Sequence, residues 1–263
     1  MIDMTPSGML DSLDLSMFSD QDILNTVLQR SEVLHDLDRP GKLIRQWSKG
    51  NPELLQNEVS KRGPELLRRA ISILYLEYLE LKPALDRLKP KKLVDIGCGY
   101  AFIDLFIARD YNSSITLIDL EENGATHFGF QAEGAAYSNL AVAKKFLTAN
   151  GTSSRKIKTI NPREDDLSSV KNVDLAMSLL SCGFHYSVRT YDEFWRGNVK
   201  SDGAIILDLR SNKAEGQLGE MIKIGAVSEI TSGDKWQRVL VQKAKSSNCL
   251  TVDMRSSKSR ILI

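Results

Sequence analysis

What this chain lacks removes several classes of function. Cysteine is scarce, at three of 263 residues (Cys98, Cys182 and Cys249), and none stands in C-x-x-C spacing, so neither a disulfide framework nor a zinc site is indicated. Reduced thiols place the expected compartment in the cytoplasm. No window holds about 18 uninterrupted apolar residues. The opening MIDMTPSGMLDSLDLS carries acids where a secretory leader has a basic segment, so neither secretion nor a membrane span is expected. An excess of one charge is missing too. With 35 Lys+Arg against 34 Asp+Glu the formal net charge is +1, which provides no field to draw nucleic acid or an anionic membrane. There is no G-x-x-x-x-G-K-[ST] phosphate loop. No convergent set of acids and histidines suggests a metal, and none is expected.

What is present centres on Val94-Asp95-Ile96-Gly97-Cys98-Gly99-Tyr100-Ala101. An apolar strand running into two glycines lets the backbone turn tightly and approach a ligand with no Cβ in the way. A second apolar run ends at Asp119, about 20 residues further on, where a strand-end carboxylate accepts the hydroxyls of a ribose. Two nucleoside-cofactor classes use this arrangement. Dinucleotide binding wants G-x-G-x-x-G, and the third glycine's place holds Phe102, so a pyrophosphate is not expected.

The string Val94-Asp95-Ile96-Gly97-Cys98-Gly99 resembles motif I of the class I S-adenosylmethionine-dependent methyltransferases, in which an acidic residue stands two before the first glycine. That family often has a third glycine where this chain has Ala101. The resemblance implies S-adenosyl-L-methionine as cofactor. It implies that Asp95 fixes the loop and the amino group, and that Gly97, Cys98 and Gly99 lie against the methionine portion. Asp119 with Leu120 would take the ribose, Asp166 with Leu167 the adenine, and Ser181 would complete the cofactor site. From the residues alone, the run Glu164-Asp165-Asp166 is equally a solvated acidic turn.

The implied fold is α/β, a doubly wound, mostly parallel Rossmann-like methyltransferase sheet with a C-terminal antiparallel hairpin, preceded by a helical N-terminal region. Residues 1–90 form that region, a cap or a homodimerisation surface, and residues 91–263 the cofactor-binding domain. In the first part, Ser19-Asp20 caps a helix, Asn51-Pro52 and Gly63-Pro64 start two more, and Pro83 and Pro90 break the pattern. Beyond it the rhythm alternates. Strand Leu93–Ile96 leads to helix Phe102–Arg109, strand Ile115–Asp119, helix Tyr137–Asn150 and strand Ile157–Ile160. Strand Asp174–Leu180, helix Thr190–Trp195 and strand Ala204–Leu209 follow, with Asp202-Gly203 as the turn before the last. Runs Ile222–Ile230 and Trp236–Gln242 read as the hairpin.

Ligands of a parallel sheet sit outside the carboxyl ends of its strands, where Ser181-Cys182-Gly183-Phe184-His185-Tyr186 follows the fourth strand. His185 is the candidate base for a hydroxyl proton, against the alternative of a structural loop histidine. His35 belongs to the helical part and His127 to a polar connection over 123–134. Tyr186 and Tyr191 offer an aromatic wall for a sugar or act as core fillers. Asp208 and Arg210 end the next strand, either paired with each other or with Arg210 holding an anionic or hydroxylated substrate. Cys182 has no partner at triad-like spacing and is not expected to be a nucleophile.

The runs S-C-G-F-H-Y and L-D-L-R are similar to those of bacterial-type sugar O-methyltransferases, and the N/D-P-P-Y/F run of amino-methylating enzymes is missing. Together these imply methyl transfer to a hydroxyl of a small molecule or glycan. The alternatives are a cofactor-binding partner or regulatory protein without catalysis and, less favoured by the neutral charge, a nucleic-acid methyltransferase.

Overall fold

The computed structural model describes residues 6–120 and 138–244. His127, Tyr137, Cys249 and the connection 123–134 lie outside the described residues.

Four helices come first: α1 (Pro6–Asp11), α2 (Asp20–Gln29), α3 (Pro40–Ser48) and α4 (Glu53–Leu88). Ser19 starts α2 as the sequence suggests. Its hydroxyl accepts from the Asp22 N–H while the Asp22 carboxylate accepts from the Ser19 N–H, so two orphan donors are satisfied reciprocally. The two helices expected from Asn51-Pro52 and Gly63-Pro64 run on as one. They meet at a kink where Arg62 leaves helical geometry (φ −145°, ψ 27°), because Pro64 has no N–H to offer and crowds the turn before it. Pro83, expected to end the helix, does not. It lies on the exposed side one turn after Leu79, which is itself 40% exposed, so the carbonyl left without a donor faces water.

The remaining elements are β1 (Lys92–Ile96), α5 (Phe102–Tyr111), β2 (Ser114–Ile118), α6 (Leu140–Ala149), β3 (Ile157–Ile160), β4 (Val173–Ser178), α7 (Asp192–Gly197), β5 (Val199–Arg210), α8 (Ala214–Ile222), β6 (Ala226–Gly233) and β7 (Trp236–Gln242). Among the described residues seven strands form one sheet in the order β3-β2-β1-β4-β5-β7-β6. β1 to β5 are mutually parallel, and β7 inserts antiparallel between β5 and β6. This is the expected doubly wound, mostly parallel Rossmann-like sheet with its C-terminal antiparallel pair.

Three boundaries differ from expectation. Asp202-Gly203 is not a turn before the strand but a bulge inside β5, where Val173 pairs with Val199 and Leu175 already with Ala204. A Cβ at position 203 would lie 3.0 Å from the Val173 carbonyl oxygen, so the bulge folds against β4 only with glycine there. Ile222 closes α8 instead of opening the hairpin. The run Ala214–Ile222 buries Ala214, Gln217 and Met221 at helical spacing, a pattern that its two glycines obscure. The strand expected to reach Leu180 stops at Ser178, since Leu180 adopts φ +51° and turns the chain out of the sheet.

Period-two alternation assigns the two faces of the sheet. Leu93, Leu117, Met177 and Ile206 share one core with Val27, Leu66, Leu67, Phe106 and Phe146, so the helices before residue 90 and this face of the sheet are packed as one apolar body. Val94, Ile96, Ile205 and Leu207 face the other way, against Trp195 and Met221. Asp95, Asp208 and Arg238 fall on the first face by the same alternation. These charged residues therefore meet helices, not water.

Candidate cofactor and acceptor site

The turn after β1 is shaped by positive φ at Gly97 (+77°), Gly99 (+55°) and Ala101 (+59°). Ala101 thus adopts the left-handed conformation that glycine takes without strain, a steric cost of roughly 1–2 kcal/mol for an L-residue. The turn is tied to β2. Gly97 N–H donates to the Ile118 carbonyl at 2.7 Å, and Gly99 N–H donates to the Asp119 carboxylate at 2.7 Å. Asp119 therefore closes the glycine turn from the neighbouring strand while standing at the ligand edge. Leu120 follows it, half-buried, its carbonyl accepting from the Ser138 hydroxyl at 3.3 Å.

The loop after β4 lies across this turn. A Cβ on Gly97 would come within 2.1 Å of Ser181 Oγ, so the two segments approach as closely as they do only because residue 97 has no side chain. Ser181 shares a hydrogen bond with the Tyr186 hydroxyl at 3.2 Å, and the Tyr186 and Tyr191 rings stand 6.4 Å apart. Burial, then the neighbouring Cys182, then Asp119 raise the Tyr191 phenol to about 12, and burial raises Tyr186 further. The Asp119 carboxylate adds to the rise at both tyrosines. Cys182 is buried, its thiol aimed at the Ser187 carbonyl and held protonated by burial.

His185 and Arg210 each lie against the Phe184 ring. The Phe184 ring packs edge-on against His185 at 5.2 Å and lies under the Arg210 guanidinium at 5.6 Å, while Arg210 N–H donates to the Gly183 carbonyl. Of the two alternatives for Asp208 and Arg210, pairing with each other is not the arrangement found for Asp208. Asp208 faces Arg238 of β7, which donates to both its oxygens (2.7 and 2.8 Å), and it accepts the Leu180 N–H at 3.1 Å. Register decides this, because Arg238 is directly opposite Asp208 across the β5–β7 ladder. Arg238 continues to Glu77 of α4 at 3.4 Å, and Glu77 to Arg30 at 2.5 Å. The chain of charges runs from the end of α2 to the loop after β4.

Asp166 is exposed and caps its own turn. Its carboxylate accepts from the Ser168 N–H at 2.7 Å and from the Ser168 hydroxyl, which together hold its pKa down. Leu167 starts that turn, and its carbonyl accepts from Asn198.

Two site residues escaped the sequence reading. Asp104, on the inner side of α5, meets Asp95, and Tyr100 donates to Asp22 at 2.9 Å while accepting from Asn25, fastening α2 over the glycine turn. The signal for Asp104 was available: a lone acid in Phe-Ile-Asp-Leu-Phe-Ile-Ala. Burial and then Asp104 raise Asp95 well above the carboxylate range, and burial raises Asp104 in turn. Cys98, half-buried between them and Asp119, is raised by burial and by all three acids.

Among the described residues no group of three or more His, Cys, Asp or Glu could hold a metal, and no helix is long and apolar enough to cross a membrane. No protein-family model and no curated protein matches the chain. Solved structures do. A candidate O-methyltransferase from Nostoc punctiforme superposes with a TM-score of 0.48 at 14% identity over 69% of this chain, which spans 61% of that protein's length. An O-methyltransferase family protein from Burkholderia thailandensis gives 0.45 at 12% identity over 86% of this chain and 72% of its own. A precorrin-6y C5,15-methyltransferase from Geobacter metallireducens gives 0.41 at 14% over 58% and 80%. The likeness is one of fold. Strand order, the inserted antiparallel β7 and the glycine turn closed from β2 make this a Rossmann-like, doubly wound fold.

Proposed function

We propose that this protein is an S-adenosylmethionine-dependent O-methyltransferase acting on a hydroxyl of a small molecule or glycan, a sugar being the acceptor class its loop sequences favour. The observation that carries the reading is the glycine turn, closed by Asp119 through the Gly99 N–H and overlain by Ser181 at a position where no Cβ fits. The residues present suit the cofactor. The buried carboxyl oxygens around the turn, Asp95 Oδ1 and both of Asp104, have no donor among the described residues, which favours a ligand bearing positive charge over a pyrophosphate.

When bound, S-adenosylmethionine supplies an electrophilic methyl group on a sulfonium. The chain's own contribution is alignment and proton handling. Gly97 and Gly99 admit the ligand to the backbone, Asp119 stands at the strand end for ribose hydroxyls, and Tyr186 and Tyr191 line the same side. His185 accepts the acceptor's proton on an imidazole nitrogen, with Phe184 against its ring, and Arg210 binds the acceptor's oxygens.

Calorimetric titration tests this directly. Binding of S-adenosylmethionine but not NAD, lost in Asp119→Ala, supports the cofactor reading, and binding of neither or of NAD alone refutes it. In a screen of hydroxylated sugars, His185→Ala should lower turnover by roughly 10²–10⁴-fold with cofactor affinity retained. Indifference to that change would mark a binding protein without catalysis.

A further inference from the structure

The loop after β4 leaves the sheet through a strained residue. Leu180 takes φ +51°, left-handed backbone that a bulky L-residue adopts only when its surroundings impose it. Here a carboxylate imposes it. The Leu180 N–H donates to Asp208 Oδ2 at 3.1 Å, and Asp208 is itself fully buried on β5, its two oxygens gripped by Arg238 Nε and Nη2 at 2.7 and 2.8 Å. Arg238 is held in turn from the helical side. Its Nη2 lies 3.4 Å from Glu77 of α4, and Glu77 pairs at 2.5 Å with Arg30, where α2 ends. Charges alternate in sign along this row, so Asp208 and Arg238 are compensated inside the core.

The turn that Leu180 begins carries the residues assigned to the ligand. Ser181 comes next, and its carbonyl accepts from the Phe184 and His185 N–H groups at 3.1 and 2.8 Å, so the backbone of His185 follows the position of Ser181. Ser181 Oγ is also the atom that a Cβ on Gly97 would meet at 2.1 Å. The remaining anchors of the loop are uncharged. Cys182 N–H donates to Ser178 Oγ at 2.8 Å, and the Gly183 carbonyl accepts from Gln217 Nε2 and the Arg210 N–H at 2.5 and 3.1 Å. They fix the chain beyond Ser181, whereas its direction out of the sheet is set at Leu180.

We propose that Asp208 is the positioning residue of this loop. Acting through the Leu180 N–H, it keeps that residue left-handed, holds Ser181 against Gly97 and so sets the backbone of His185. Arg238 and Glu77 keep its carboxylate aimed at Leu180. The held turn is a property of the chain without ligand, while its effect on binding rests on the proposed cofactor.

Replacing Asp208 alone strands Arg238, so the experiment compares two double variants of the full chain that both remove the buried charges. Asp208→Asn with Arg238→Met keeps a side-chain oxygen facing the Leu180 N–H, and Asp208→Leu with Arg238→Met does not. Amide hydrogen exchange read by NMR reports the turn without any ligand. Leu180 should be protected in the parent and in the asparagine variant. In the leucine variant Leu180 and residues 181–186 should exchange roughly tenfold faster, the worth of a lost hydrogen bond, while urea unfolding finds both variants folded. Titration with S-adenosylmethionine should give the asparagine variant an affinity close to the parent's and the leucine variant one weaker by roughly tenfold. An unprotected Leu180 in the parent overturns the proposal whether or not either variant folds. Equal exchange in the two double variants, or parental affinity in the leucine variant, overturns it as well. A parent that does not bind S-adenosylmethionine refutes the cofactor reading, and the exchange rates still decide whether Asp208 holds the turn.

Discussion

Arg238→Met should destabilise this protein severely, and by an amount that depends on pH. Arg238 is 1% exposed and Asp208 0%, and two of the three hydrogen bonds received by the Asp208 carboxylate come from this guanidinium. Methionine fills much of the arginine stem's volume but leaves Asp208 with one backbone N–H in an apolar layer. Stranding one partner of a buried pair costs about 3–5 kcal/mol. Burial already raises the Asp208 carboxyl against the opposing pull of Arg238, and without that pull it rises further. A folded-state pKa above the unfolded value gives stability that is present at low pH and lost as pH rises. The variant should therefore be impaired less at pH 5 than at pH 8, with a slope approaching 1.4 kcal/mol per pH unit relative to the parent. Adding Asp208→Asn removes the charge while keeping an acceptor for the Leu180 N–H, and the double variant should recover most of the loss. Urea unfolding of the parent, both single variants and the double at the two pH values measures all of this. A loss below about 1 kcal/mol for Arg238→Met, no pH dependence, or a double variant no better than the single would refute the reasoning.

Two further outcomes follow from the glycine turn and the carboxyl pair. Gly97→Ala puts a methyl group 2.1 Å from Ser181 Oγ at φ +77°, so it should abolish cofactor binding and lower stability by more than about 2 kcal/mol, with Ser181→Gly restoring part of the stability but not the φ strain; unchanged binding by calorimetry would contradict the close approach. The buried Asp104 carboxyl, raised to about 7, contributes stability that is complete below the unfolded value near 3.8 and lost as pH climbs through 7. Asp104→Asn should therefore gain on the parent by about 2 kcal/mol between pH 5 and pH 7, and parallel unfolding curves across that range would show the Asp104 carboxyl to be ionised throughout.

The chain's own letters were enough for the parts of this protein that depend on local chemistry. A strand entering Gly97-Cys98-Gly99 makes a tight turn wherever it occurs, Ser19 with Asp22 caps a helix by reciprocal hydrogen bonds three residues apart, and alternation of strands with helices implies a parallel sheet. The inserted antiparallel strand came from resemblance, and the sheet order carries it. Helix α8 and the bulge at Asp202-Gly203 were misread because glycine signals a break locally, whereas here it allows close packing against β4 in one case and is tolerated on an exposed helix face in the other.

What tertiary structure alone decided is which charged residues meet. Asp208 and Arg210 are two apart, yet Asp208 pairs with Arg238, thirty residues on, because antiparallel register sets those two side by side on one face. Asp95 and Asp104 are nine apart in a run that reads as motif and helix, and only the packing of α5 on β1 turns them into a carboxyl pair without a counter-ion. Sequence specifies short-range geometry through hydrogen bonds and sterics that act over a few residues. The partner of a buried charge is set by the register of strands and the docking of helices, which depend on the whole core at once.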